Sequence, residues 1–118
     1  MTEKITKLDE LKKLADGSGH SGKSRFFFYE ALIDTELYLL LEKEIESGIA
    51  CPKLIETSED KYALVFDTIA RLVDFTENSS PYLALTGRMV LPMLKAQKLG
   101  LGLNLNLAVP SEILLSSR

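Results

Sequence analysis

Cysteine and histidine each occur only once, and each scarcity removes a class of chemistry. Cys51 alone cannot form an internal disulfide. With no base suggested beside it, it reads as a small apolar residue next to Pro52 rather than as a nucleophile. His20 has no Cys, Asp or Glu cluster at ligand spacing, and a metal site needs several ligands. A basic excess is also lacking. Fourteen Lys and Arg against seventeen Asp and Glu give a net charge of −3, which argues against a nucleic-acid binder. The longest uninterrupted aliphatic and aromatic run, Leu37 to Leu41, falls far short of the ~20 residues of a membrane span. The opening MTEKITKLDE has no apolar signal core. These absences point to a cytoplasmic protein with no membrane or nucleic-acid partner.

What is present is patterned apolar sequence, 46% hydrophobic over 118 residues, enough for one core. Ile5, Leu8, Leu11, Leu14 and Ala15 recur at helical spacing between Lys and Glu, which predicts a short amphipathic helix. Its stripe must bury on this domain or on a partner. Asp16 to Ser24 is rich in Gly and Ser and reads as a connector. From Arg25, the residues Phe26, Phe27, Tyr29, Glu30, Leu32 and Ile33 suit a helix that buries a broad aromatic face, with Ser24 as N-cap. Glu36 to Leu41 reads as a strand and the charged Glu42 to Gly48 as a loop. Lys53 to Phe66 reads as a hairpin turning at Thr57 to Asp60, short polar residues that compete for backbone bonds.

Asp67 or Thr68 can cap a helix carrying Ile69, Leu72, Val73 and Phe75. The chain is then organised around Pro81 to Pro110: a strand at Tyr82 to Leu85, a helix through Lys98, and the alternation Leu99, Leu101, Leu103, Leu105, Leu107. As a strand, this last run puts all five leucines on one face, with Gly100, Gly102, Asn104 and Asn106 on the other. Pro92 in the second helical turn requires a kink or a helix that begins near Leu91. Pro110 to Leu115 reads as a last helical turn. The expected architecture is α+β: a single compact domain, a mixed sheet of about five strands packed with four or five helices. Residues 1–23 form the N-terminal helix and linker, and 24–118 the domain proper.

One string imitates chemistry. Gly17-Ser-Gly-His-Ser-Gly22-Lys23-Ser24 satisfies G-x-x-x-x-G-K-[ST], in which backbone amides cradle phosphates, the lysine reaches them and the serine holds Mg²⁺. A phosphate loop must follow a buried strand. LDELKKLAD ahead of it is charged and helically spaced, so a strand there would bury Lys12, Lys13 and Asp16. A nucleotide site at Gly22, Lys23 and Ser24 is therefore the alternative reading, and a linker coincidence the main one.

The carboxylates Asp9, Glu10, Glu42, Glu44, Glu46, Glu59 and Asp60 fall on charged faces or in loops and read as solvated, whereas acid–base work needs pKa values driven apart by burial or neighbours. Phe26, Phe27, Phe28 and Tyr29 cannot all face inward on one helix, and Phe28 or Tyr29 is assigned to an edge or interface. A ligand pocket lined by Phe26, Tyr29 and Leu91 is a further reading. No catalytic constellation and no cofactor emerge.

Arg25 to Leu41, Tyr62 to Asp67, Ile69 to Phe75, Tyr82 to Leu91, Gly100 to Asn106 and Val109 to Leu114 together resemble the SseB-type, enhanced-serine-sensitivity N-terminal domain family, over roughly residues 25 to 115. The resemblance implies a bacterial α+β domain with no catalytic site to carry over, and it places Gly17 to Ser24 in a variable connector. The resulting expectation is a non-catalytic interaction or self-association module whose partner is an unknown protein or a second copy in a homodimer. Its contact surface is assigned to Phe28, Tyr29, Gly100, Gly102, Asn104 and Asn106.

Overall fold

The computed structural model describes residues 5–17, 22–58, 60–77 and 80–116. In chain order the elements are α1 (Lys7–Gly17), α2 (Gly22–Asp34), β1 (Glu36–Leu40), β2 (Leu54–Glu56), β3 (Lys61–Phe66), α3 (Ile69–Thr76), β4 (Tyr82–Thr86), α4 (Gly87–Ala96), β5 (Gly100–Leu103) and β6 (Ile113–Leu115). Six strands form one mixed sheet in the order β4-β1-β3-β5-β6, with β2 also pairing with β3. All pairs are antiparallel except β3–β5. The β4–α4–β5 segment is the expected crossover: its two strands are separated by β1 and β3 and run in the same direction.

Side-chain alternation splits the core in two. Leu37, Leu39 and Leu41 of the first strand region, Ala63 and Val65 of β3, and Leu101 and Leu103 of β5 face Phe28 and Leu32 of α2, Val90 and Leu94 of α4, and Leu8 of α1. Leu40, Leu64 and Phe66 face the other way, onto Leu72 of α3 and Leu105. Both faces of the central strands are covered, so β1 and β3 read as nearly continuous apolar runs. The N-terminal helix packs its stripe on this domain: Leu8 and Ala15 are buried and Leu11 lies against the core, whereas Ile5 and Leu14 stay exposed.

Three local expectations are corrected. The alternating leucines do not make one long strand. β5 ends at Leu103 because Asn104 and Asn106 take left-handed backbone (φ 49° and 61°), a conformation Asn tolerates better than most residues. Leu101 and Leu103 therefore stay in the helix-covered core, while Leu105 and Leu107 turn under the opposite face. The segment after Pro110 makes a turn and then strand β6, which pairs with β5, rather than a helical turn. Ser24 is not an N-cap, since α2 already begins at Gly22.

Thr68 does cap α3, its hydroxyl accepting from the Arg71 N–H at 3.1 Å. α4 begins at Gly87 and includes Pro92, so the Arg88 carbonyl has no backbone donor four residues on. Gly87 is required by a close approach: a methyl group there would collide with the Leu32 carbonyl of α2. Among the described residues no helix is long and apolar enough to cross a membrane.

Candidate functional site

The densest polar arrangement lies at one end of the sheet, just past the carboxyl ends of the parallel strands β3 and β5. Phe66 leads into Asp67, and Leu103 into Asn104. The residues after these two adjacent strand ends meet: the Asp67 N–H donates to Asn104 Oδ1 (3.3 Å), and Asn104 Nδ2 donates to Asp67 Oδ1 (3.1 Å). One turn into α3, Arg71 places Nη1 at 3.1 Å from the same Asp67 oxygen. From the other end of the chain, α1 delivers Asp9, which takes the guanidinium at both oxygens: Nη2 to Oδ2 at 2.5 Å and Nη1 to Oδ1 at 3.1 Å. Ser111, in the turn before β6, donates its hydroxyl to Asp9 Oδ1 (2.5 Å) and accepts from Asn104 Nδ2 (2.7 Å). Thr6 closes the group by donating to Asp67 Oδ2 at 2.6 Å.

Asp9, Arg71, Asn104 and Ser111 are at most 2% exposed and Asp67 only 9%, so this is a sealed group of two carboxylates and one guanidinium. No buried side-chain nitrogen or oxygen among the described residues lacks a partner. Burial pushes the Asp9 carboxyl up, but hydrogen bonds from Arg71, Ser111 and Thr6, with the Arg71 charge, outweigh it and hold Asp9 below its ordinary value. Burial alone would lower the Arg71 guanidinium. Its bond to Asp9 and the charges of Asp67 and Asp9 push it up instead. Asp9 is thus kept ionised and Arg71 cationic near neutral pH. In open α/β sheets, the crevice beyond the strand carboxyl ends is where ligands bind. Here α1 and the Ser111 turn fill it with their own side chains.

Asp9 corrects the reading of that residue as solvated. It was legible in part. Thr6-Lys-Leu-Asp9 is a capping box: the Thr6 N–H donates to Asp9 Oδ2 (3.1 Å) and the Asp9 N–H to Thr6 Oγ1 (3.2 Å). The Asp67–Arg71 spacing of four residues was visible as well. The pairing of Asp9 with Arg71, 62 residues apart, carries no local signal.

The residues assigned to a contact surface do not share one. Phe28 is 1% exposed, because the helix phase places it beside Leu32, four residues on, in the core. Gly100 and Gly102 are buried in a strand with both edges occupied, and a methyl group on Gly102 would press into Leu105. Asn104 belongs to the sealed cluster. Tyr29 and Asn106 are exposed, with the Asn106 N–H donating to Glu112 (2.9 Å).

Besides Tyr29, the exposed aromatics of α2 are Phe26 and Phe27, at 59% and 50%, with their rings edge-to-face at 6.1 Å, so the aromatic face expected to be buried is largely solvated. Phe26 and Tyr29 join Glu30, Ile33, Asp34 and Arg88 in a groove of about 320 Å³, bordered by an Arg88–Asp34 ion pair at 2.6 Å. Leu91 lines a different cavity with Leu94, Leu99 and Leu115, so the pocket expected of Phe26, Tyr29 and Leu91 together is not formed.

Of the phosphate-loop string, residues 18–21, His20 included, lie outside the described residues. What precedes it is helix α1, so the strand that a phosphate loop requires is replaced by a helix. Cys51 is a free, half-buried thiol. Among the described residues no group of three His, Cys, Asp or Glu is placed to hold a metal ion.

No curated protein and no solved structure matched the chain. The model of the SseB protein N-terminal domain matches residues 9–118, starting at the aspartate that joins the buried cluster and running to the last residue. The chain belongs to the SseB N-terminal domain family.

Proposed function

We propose that this domain is a non-catalytic protein-interaction module and that the outer face of α2 is its contact surface. The observation that carries the reading is the side-by-side exposure of Phe26 and Phe27, with Tyr29 beside them, on a helix whose phase has already buried Phe28 and Leu32. Solvated aromatic rings gain from burial, and large aromatics dominate the energetics of protein contacts. The groove beside them adds an apolar floor (Phe26, Tyr29, Ile33) and a charged rim (Glu30, Asp34, Arg88), the usual anatomy of a protein contact. The partner that fits is a segment presenting an apolar anchor with a charged flank. The buried cluster, whose charged groups bind one another away from solvent, supports a structural role for those residues.

A photo-crosslinking residue placed at Phe26 or Phe27 in cells, with Lys53 as an exposed control, tests this directly. Discrete adducts of the same mass are expected from both α2 positions and none from Lys53. Equal adduct patterns at all three positions would contradict the assignment.

A further inference from the structure

The sheet has a free edge at β4, and its hydrogen-bonding groups can be assigned residue by residue. Leu41 donates its N–H to the Pro81 carbonyl (3.0 Å), and Gly87 donates to the Thr35 carbonyl (3.0 Å). In an antiparallel ladder, inward-bonded residues alternate with outward-facing ones. Between those two anchors, Leu83 and Leu85 therefore spend their backbone groups on β1, opposite Leu39 and Leu37. Tyr82, Ala84 and Thr86 point theirs outward. The Thr86 carbonyl is engaged at the start of α4, and among the described residues no segment pairs with the rest.

Natural edge strands are blunted by charge, by an internal proline or by a bulge. Tyr82-Leu-Ala-Leu-Thr86 has none of these. It is five residues long, uncharged and regularly paired with β1 throughout. The protein partner that fits such an edge is an extended strand.

We infer that β4 pairs antiparallel with β4 of a second copy about a two-fold axis at Ala84, which joins the two sheets into one. The outward groups allow this register. With Ala84 opposite itself, Ala84 exchanges two bonds with its counterpart, and each Thr86 N–H meets the other copy's Tyr82 carbonyl. The Tyr82 N–H, which faces the engaged Thr86 carbonyl, is the one outward group that this register leaves to solvent. No charge of either sign is brought opposite its like. Leu83 comes to face Leu85 of the other copy on the side where both already pack partly buried against the main core, so the two cores become continuous across the axis. Isologous pairing of this kind closes at two copies. This surface is separate from the outer face of α2 and does not depend on the role proposed for that face.

Sedimentation equilibrium up to millimolar concentration, on the full chain, tests it with Ala84→Lys, Ala84→Glu and an equimolar mixture of the two. The wild-type chain is expected to reach twice the monomer mass. Each charged variant should keep the wild-type unfolding midpoint at concentrations where both are monomeric, because Ala84 is exposed, and should dissociate with a constant raised about fivefold by like charges facing on the axis. The mixture should recover the dimer. A wild-type monomer at every concentration overturns the inference, including the case in which this edge takes a foreign strand. A dimer that Ala84→Lys leaves intact overturns it too, while leaving self-association through another surface standing.

Discussion

Asp9 carries two duties that a single carboxylate can combine only in one geometry. Its backbone and side chain close the N-terminal cap of α1, and its two oxygens receive the Arg71 guanidinium. Because its folded pKa lies below the ordinary value of 3.8, it binds fewer protons than in the unfolded chain as the medium is acidified. Such a group contributes stability above its unfolded pKa and loses it as pH falls through the folded one. Urea midpoints measured between pH 2 and 7 should therefore stay level near neutrality and decline below about pH 4. Asp9→Asn should lower the neutral plateau and flatten the acid decline; an unchanged decline would place the responsible carboxylate elsewhere. Of this, the capping spacing Thr6-x-x-Asp9 could be read from the chain. The burial could not, because a lysine-rich helix with an aspartate in its first turn looks the same whether that aspartate meets water or an arginine supplied from residue 71.

Among the elements, the fold was legible wherever spacing decides side-chain direction. α1, the β2–β3 hairpin, the Thr68-capped helix and the strand–helix–strand crossover all follow from period and turn chemistry. The last alternating run was misread because period two persists in the letters through Leu107 while the backbone abandons it at Asn104. Only the left-handed tolerance of Asn hinted at that break. The phase of Phe26 to Tyr29 was also invisible: four adjacent aromatics leave a helix free to bury any of them, and Leu32 and the sheet chose Phe28.

Two substitutions check the element packing. Gly87→Ala should lose about 1–3 kcal/mol through overlap with the Leu32 carbonyl, read as a lower urea midpoint at constant slope. Gly102→Val should likewise destabilise the fold by pressing into Leu105, although the glycine face expected from sequence would have tolerated it. A wild-type midpoint for Gly102→Val would mean that the turn at Asn104 yields.

For the molecule as a whole, α1 is part of one body with the sheet. It fills the crevice past the strand ends, supplies Leu8 to the core and neutralises Arg71. The helix ahead of Gly17 also removes the strand that a nucleotide site would need. Millimolar Mg-ATP or Mg-GTP should accordingly leave the thermal midpoint unchanged. A nucleotide at a hundredfold over its Kd would add ~2.7 kcal/mol, a shift of several degrees for a domain this size.

The proposed division of labour is that polar residues hold the fold while exposed aromatics are left for a partner. Equilibrium urea unfolding of Arg71→Met beside a Phe26→Ser/Phe27→Ser double variant tests it most directly. Arg71→Met leaves Asp9 and Asp67 buried without their cation and should cost about 3–5 kcal/mol. The double serine variant should unfold within about 0.5 kcal/mol of wild type, as exposed positions do. An Arg71→Met protein as stable as wild type, with the serine variant unfolded, would reverse the assignment and mark the buried cluster as the working site.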